Sequence, residues 1–309
     1  MTSHQKLTGL IAAPHTPFTA HGELNLSAID RQAEILDQDG VSGVFIGGTT
    51  GECHSLSVDE RLRLAERWSE ALAGSRLKLI VHVGCQSLPD SRELAKQAGN
   101  LENVVAMGAM APSFFKPPRP AEVAAWLRDV ASYAPELPAY YYDIPSMTGI
   151  RLPMTDILSL CHDTIPNFAG LKLSNPDMTV LVECMAFSGG DLDVLFGCDE
   201  AFMFGYAAGV KGAVGSSYNI AAPLYLRIMS AFDRGDHILA RADQTTSVAM
   251  VNLLASHGYL PASKFVMSLK GVDCGPVRLP LRNLDDDARK RIANGMEKLG
   301  LIPQTTRAV

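Results

Sequence analysis

The sequence predicts an α/β protein organised as a (β/α)8 barrel, and two observations carry that expectation. Eight short apolar runs recur along the first two thirds of the chain: "TGLIAA", "SGVFIGG", "LKLIVHVG", "NVVAMGAM", "PAYYYDI", "FAGLKLS", "DVLFG" and "KGAVGSS". Each closes on Gly, Pro or small polar residues, as strands do. Between them lie longer stretches with apolar residues at three- and four-residue spacing, the mark of amphipathic helices. Eight such units in about 220 residues favour a barrel over a doubly wound open sheet, although strand count alone does not establish closure.

The first two helical stretches, "SAIDRQAEILDQDG" and "SVDERLRLAERWSEALAG", start on Ser and end on Gly, the usual caps. After residue 222 the alternation stops and only helical patterns remain: "PLYLRIMSAFDRG", "DHILARADQTTSVAMVNLLASHG" and "DDDARKRIANGMEKLG". No linker rich in Gly, Ser or Pro intervenes. The expectation is therefore a catalytic barrel over 1–222 and a helical extension over 223–309 packed on it rather than an independent module. An apolar appendage of that kind suits subunit contacts.

Composition narrows the function. With 309 residues and 47% hydrophobic content the chain can bury a large core. The 33 acidic and 27 basic residues leave a net charge of −6 without a long basic run, so nucleic acid is not an expected partner. The apolar run in "MTSHQKLTGLIAAPHTPF" is short and broken by Pro14, which points to no membrane span and a cytoplasmic setting. Six cysteines fall without a C-x-x-C pair and eight histidines without metal-ligand spacing, so no metal is expected. His82, inside "LKLIVHVG", reads as a satisfied interior histidine.

In a (β/α)8 barrel, chemistry belongs at the carboxyl ends of the strands. Five motifs fall there. "GGTTGE", Gly47 to Glu52, follows the second strand; its glycines and its hydroxyls Thr49 and Thr50 suit a carboxylate or phosphate, or else a tight turn with a Thr cap. "YYYDIPSMTG" ends the fifth strand. Alternation places Tyr140 and Tyr142 on one face, so Tyr142 can reach the barrel mouth and pass protons, or else pack as a core tyrosine. "FAGLKLS" carries Lys172 inside an apolar run, where an ammonium is costly and a neutral amine is a nucleophile; the alternative is a lysine that snorkels to solvent. "FGCDE" sets Asp199 and Glu200 beside Gly197, as a sugar-hydroxyl clamp or an acidic helix start. "GAVGSSYN" follows the eighth strand and could be a phosphate nest.

The combination of "GGTTGE", "YYYDIP", "GLKLS", "FGCDE" and "GAVGSSYN", in this order, resembles the N-acetylneuraminate lyase and dihydrodipicolinate synthase superfamily of class I aldolases. The resemblance runs from about Leu7 to Leu281. It implies a (β/α)8 TIM barrel with a C-terminal three-helix extension, commonly a homotetramer, with no external cofactor. It also implies a Schiff-base lysine at Lys172, a proton-relaying tyrosine at Tyr142, and a keto-acid carboxylate held by Thr49 and Thr50. Substrate contacts carry over to Ser174, Gly197, Asp199, Glu200 and Ser216.

Two departures sort the members. Where the synthases place an arginine five residues after the tyrosine, this chain has Met147, and where they have a tyrosine pair it has Phe114 and Phe115. Both count against the synthase, while the triple tyrosine, the Asp199–Glu200 pair and "GLKLS" look closest to the sialic acid lyases, which take pyruvate and a sugar acid as small-molecule partners. Cleavage of another 2-keto-3-deoxy sugar acid is the nearest alternative. A phosphosugar enzyme and a non-catalytic keto-acid sensor stand further off.

Overall fold

The computed structural model describes residues 5–303. Eight parallel strands, β1 (Gly9–Ala12), β2 (Gly43–Ile46), β3 (Lys78–His82), β4 (Val104–Ala109), β5 (Ala139–Asp143), β6 (Phe168–Leu173), β7 (Asp193–Phe196) and β8 (Gly212–Gly215), pair in sequence order. β1 closes on β8 with Gly9 opposite Gly212 and Ala12 opposite Gly215. The sheet is therefore a closed TIM barrel, and the open-sheet alternative falls away.

Helices α1 (Ile29–Gln38), α2 (Val58–Ala71), α3 (Leu88–Asn100) and α4 (Pro120–Ala131) wrap the first half of the barrel. The short α5 (Pro145–Thr148) follows β5, and α6 (Met154–Thr164), α7 (Met178–Ala186), α8 (Phe202–Ala207) and α9 (Tyr218–Asp233) complete the ring. Local chemistry sets their starts. Ser57 and Glu60 form a reciprocal capping box on α2, Ser87 caps α3 before Pro89, and Asp177 caps α7.

Strand alternation divides the core in two. One layer, including Ile46, Tyr141, Leu171 and Leu173, packs between barrel and helices. The other, with Leu7, Ile11, Phe45, Ile80, Tyr140, Tyr142, Ala169, Leu195 and Val214, fills the barrel. Tyr140 and Tyr142 thus share the inner face, as alternation requires.

Beyond α9 come α10 (His237–Ala255), α11 (Tyr259–Leu269) and α12 (Asp286–Lys298). The helical pattern read over 223–235 falls in α9 up to Asp233; this helix starts at Tyr218 and crosses residue 222 as the barrel's last helix. α11 was not expected from the pattern. Its Pro261 reads as a breaker, yet it falls at the third helical position, in the first turn, where no backbone donor is needed.

Candidate active site

Lys172 is interior for a reason the apolar run does not show. Along β6, Phe168 faces the helix layer and Ala169 the barrel, so simple alternation would turn Leu171 inward and Lys172 outward. Instead Leu171 and Leu173 face the helices, because the β5–β6 register shifts at Gly170. Gly170 has φ 152°, and a Cβ there would lie 1.9 Å from the Asp193 carbonyl oxygen. This irregularity inverts the phase of the strand and aims Lys172 into the barrel.

There the side chain is buried. Its Nζ lies 4.0 Å from the centre of the Tyr142 ring and 4.3 Å from that of Phe45. Tyr142 is the cross-strand partner of Lys172. Its ring meets Phe45 and His82 edge-on, and its hydroxyl lies 3.2 Å from Thr49 Oγ1. Gly48 and Gly108 make room for Phe45, since a Cβ at either would come within 2.9 Å of its ring.

His82 supports this group from beneath. Its Nδ1 is 2.8 Å from the Gly47 carbonyl, and Met110 N–H donates to Nε2. Burial, aided by nearby Arg61, pushes the imidazole well below its usual range, so it is a neutral ring that donates to Gly47. The loop after β2 is held at its base by this bond and by Thr16 Oγ1, which donates to the Gly51 carbonyl. Thr49 and Thr50 are half-buried on that loop.

On the far side of the mouth, Ser174 follows β6 and its Oγ occupies the space a Cβ at Gly197 would need, 2.2 Å away. Gly197 is a glycine because Ser174 is there. The acidic pair splits. Asp199 is buried, with Oδ2 accepting Ser217 N–H at 2.8 Å, whereas Glu200 is exposed. Asp199 Oδ1 is buried without a hydrogen-bond partner among the described residues. Burial pushes the Asp199 carboxyl up to about 6, with Ser217 pulling the other way. A Cβ at Gly215 would lie 1.9 Å from that Oδ1, so the strand end must be glycine for Asp199 to fit.

Ser216 Oγ donates to the Tyr259 hydroxyl at 3.0 Å, and Ser217 Oγ is equally close to it. Gln244 and Ser247 of α10 reach the Asp199 carbonyl. Residues of the extension thus frame the β7–β8 side of the site. Sequence reading missed them: Tyr259 opens the unexpected α11, and Gly258 before it was the available signal. Among the described residues there is no group of three or more His, Cys, Asp or Glu that could hold a metal ion, and no helix is long and apolar enough to cross a membrane.

Fold and site together define a (β/α)8 barrel with a buried amine at the carboxyl end of its sixth strand, faced by a tyrosine and a hydroxyl-rich loop. The chain belongs to the Dihydrodipicolinate synthetase family, which it matches over residues 6–299. It is 40% identical to an N-acetylneuraminate lyase of Danio rerio over 281 residues, 90% of this chain and 91% of that one. The solved structure of a Proteus mirabilis N-acetylneuraminate lyase superposes with a TM-score of 0.94 at 39% identity, covering 96% of this chain and all of the other. That of an Aliivibrio salmonicida N-acetylneuraminate lyase gives 0.93 at 38% identity, covering 96% and 98%.

Proposed function

We propose that the protein is a Schiff-base aldolase that reversibly cleaves N-acetylneuraminate into N-acetylmannosamine and pyruvate. The observation that carries this reading is the setting of Lys172: a buried amine against two aromatic rings, one of which bears a hydroxyl tied to Thr49. The similar lyases support the choice of substrate.

In the cleavage direction the amine of Lys172 adds to the ketone of the open-chain sugar acid, and water leaves to give an iminium. Tyr142 relays the proton that leaves the hydroxyl β to that iminium, passing on its own as it accepts it, and the same proton count is restored when the enamine is protonated. The carbon-carbon bond breaks, the aldehyde leaves, and the electron pair enters the iminium to form an enamine. Protonation of the enamine and hydrolysis then release pyruvate and restore the amine. Electrons balance without an oxidant or a cofactor.

Thr49 and Thr50, with the amides of their loop, are assigned the keto-acid carboxylate. Gly197, Asp199 and Glu200 are assigned the polyol, and Ser174 and Ser216 are assigned further substrate contacts. The buried, unpartnered Oδ1 of Asp199 supports this, because an orphaned acceptor favours a ligand that brings a hydroxyl. Met147, 64% exposed on α5, cannot pair with a carboxylate, which counts against aspartate semialdehyde as a substrate.

The exposed Phe114 and Phe115, 80% and 86% accessible with rings 5.0 Å apart, suit a subunit contact, and a homotetramer is the assembly proposed. Six free, buried thiols fit a reducing cytoplasm. A coupled pyruvate-release assay over a panel of sugar acids tests the substrate. Release from N-acetylneuraminate with negligible condensation of pyruvate and aspartate semialdehyde is expected; the opposite pattern replaces the lyase with the synthase.

A further inference from the structure

The loop assigned to the keto-acid carboxylate ends in an unusual residue. Glu52 has left-handed backbone (φ 55°, ψ 38°), a strained conformation for a residue with a side chain. Its N–H donates to the Thr49 carbonyl at 3.0 Å, so Glu52 closes the same turn that displays Thr49 and Thr50. Thr49 in turn meets the Tyr142 hydroxyl.

What holds Glu52 comes from the C-terminal extension. Lys264 on α11 places Nζ 2.6 Å from Glu52 Oε1, with side chains only 2% and 1% exposed. Lys264 also donates to the Pro276 carbonyl, and the backbone N–H of Arg278 donates to Glu52 Oε2 at 3.1 Å. The Lys264 and Arg278 cations both lie over the Phe18 ring, at 4.2 and 4.3 Å. Arg278 continues to Glu60 and to the Ser55 and Gly22 carbonyls, which ties down the segment following the loop.

This pair is a poor device for stability. Burial lowers the Lys264 ammonium from its usual range, with Glu52 pulling the other way, and taking two charges out of water offsets much of what a buried pair gains. What a buried carboxylate held by an ammonium on one oxygen and a backbone N–H on the other does supply is a fixed position, and this one fixes the strained end of the turn.

We propose that Glu52 and Lys264 are positioning residues for the keto acid: their ion pair holds the turn in the shape in which Thr49 and Thr50 receive the substrate carboxylate. The inference rests on the Schiff-base reading above, and its test separates the two. Borohydride trapping of the full chain is followed against pyruvate concentration for wild type, Lys264→Met, Glu52→Gln and Arg227→Met. The last removes a more exposed ion pair, Arg227 with Asp243, that lies away from the loop. Half-saturating pyruvate is expected to rise on the order of tenfold in Lys264→Met and several-fold in Glu52→Gln, since small misplacements of binding groups are costly. The adduct yield at saturating pyruvate should stay near wild type, and Arg227→Met should be unchanged throughout. If Lys264→Met does not fold, Glu52→Gln decides alone. An unchanged half-saturation in the folded variants, whatever their melting temperatures, overturns the proposal. Absence of trapping in the wild type overturns the Schiff-base reading and this inference with it.

Discussion

Around Lys172 the walls are rings: Phe45 and Tyr142 lie within 4.3 Å of the amine, with His82 behind them, a neutral ring rather than a charge. Around Asp199 they are hydroxyls and amides: Ser217 N–H, the Ser216–Ser217–Tyr259 hydroxyl cluster, and Gln244 and Ser247 on the backbone. The first wall comes wholly from barrel strands. The second draws on α10 and α11. The division matches two tasks. A nucleophile is served by apolar walls that fix its position and exclude water, whereas a selective hydroxyl site needs acceptors that suffer when left unpaired. It also predicts that damage to the two walls separates chemistry from substrate choice.

The largest separable effect is expected at the aromatic wall. Tyr142→Phe keeps the ring over Lys172 but removes the proton carrier, so cleavage should slow by about 10²–10⁴-fold while pyruvate still forms its adduct. Steady-state turnover beside adduct mass measures both, and near-normal turnover would make Tyr142 a packing residue only. At the polar wall, Asp199→Asn should lower kcat/KM for the sugar acid by about 10–10²-fold, the range for a buried hydrogen bond to a charged group, and leave half-saturating pyruvate unchanged. Equal losses with both ligands would erase the distinction between the walls. Because Glu200 is exposed, Glu200→Gln should cost less, below about fivefold. A larger loss there than at Asp199 would reverse their order.

The smallest effect concerns a carboxyl that belongs to neither wall. Asp143 ends β5 on the helix-facing side, buried with Oδ2 unpartnered, and burial pushes it from 3.8 up to about 7. A raised folded-state value means that the native protein holds this proton more tightly than the unfolded chain. Its contribution to stability is therefore complete below the unfolded value and is lost as pH rises through about 7. Asp199, raised to about 6, has the same sign. Denaturant melts of Asp143→Asn between about pH 5 and about pH 8 should show a flatter decline with pH than wild type. An unchanged slope would mean that Asp143 is not the group that titrates.

The two walls were not equally legible in the sequence. Eight strands and the shared inner face of Tyr140 and Tyr142 follow from local periodicity, which one chain displays fully, whereas closure rests on the pairing of β1 with β8. Lys172 stood out as a charge inside an apolar run, but its inward aim depends on the register shift at Gly170, a contact between strands that no local pattern reports. The polar wall was only half visible. "FGCDE" and "GAVGSSYN" mark their strand ends, yet the burial of Asp199 beside an exposed Glu200 is settled by Ser217, Gly215 and the extension. Tyr259 and Lys264 lay in a helix masked by Pro261. Lys264 in "ASKFVM" carried the same signal as Lys172, a cation within apolar sequence, and its partner Glu52 is 212 positions away along the chain.

The central claim is that the buried amine of Lys172 is the nucleophile. The most direct test is reduction with borohydride in the presence of pyruvate, followed by peptide mass mapping of wild type and Lys172→Met. The account predicts loss of activity in the wild type with one reduced pyruvyl group on the peptide containing Lys172, and none in the variant. An adduct on another lysine, or full activity after reduction, would contradict it.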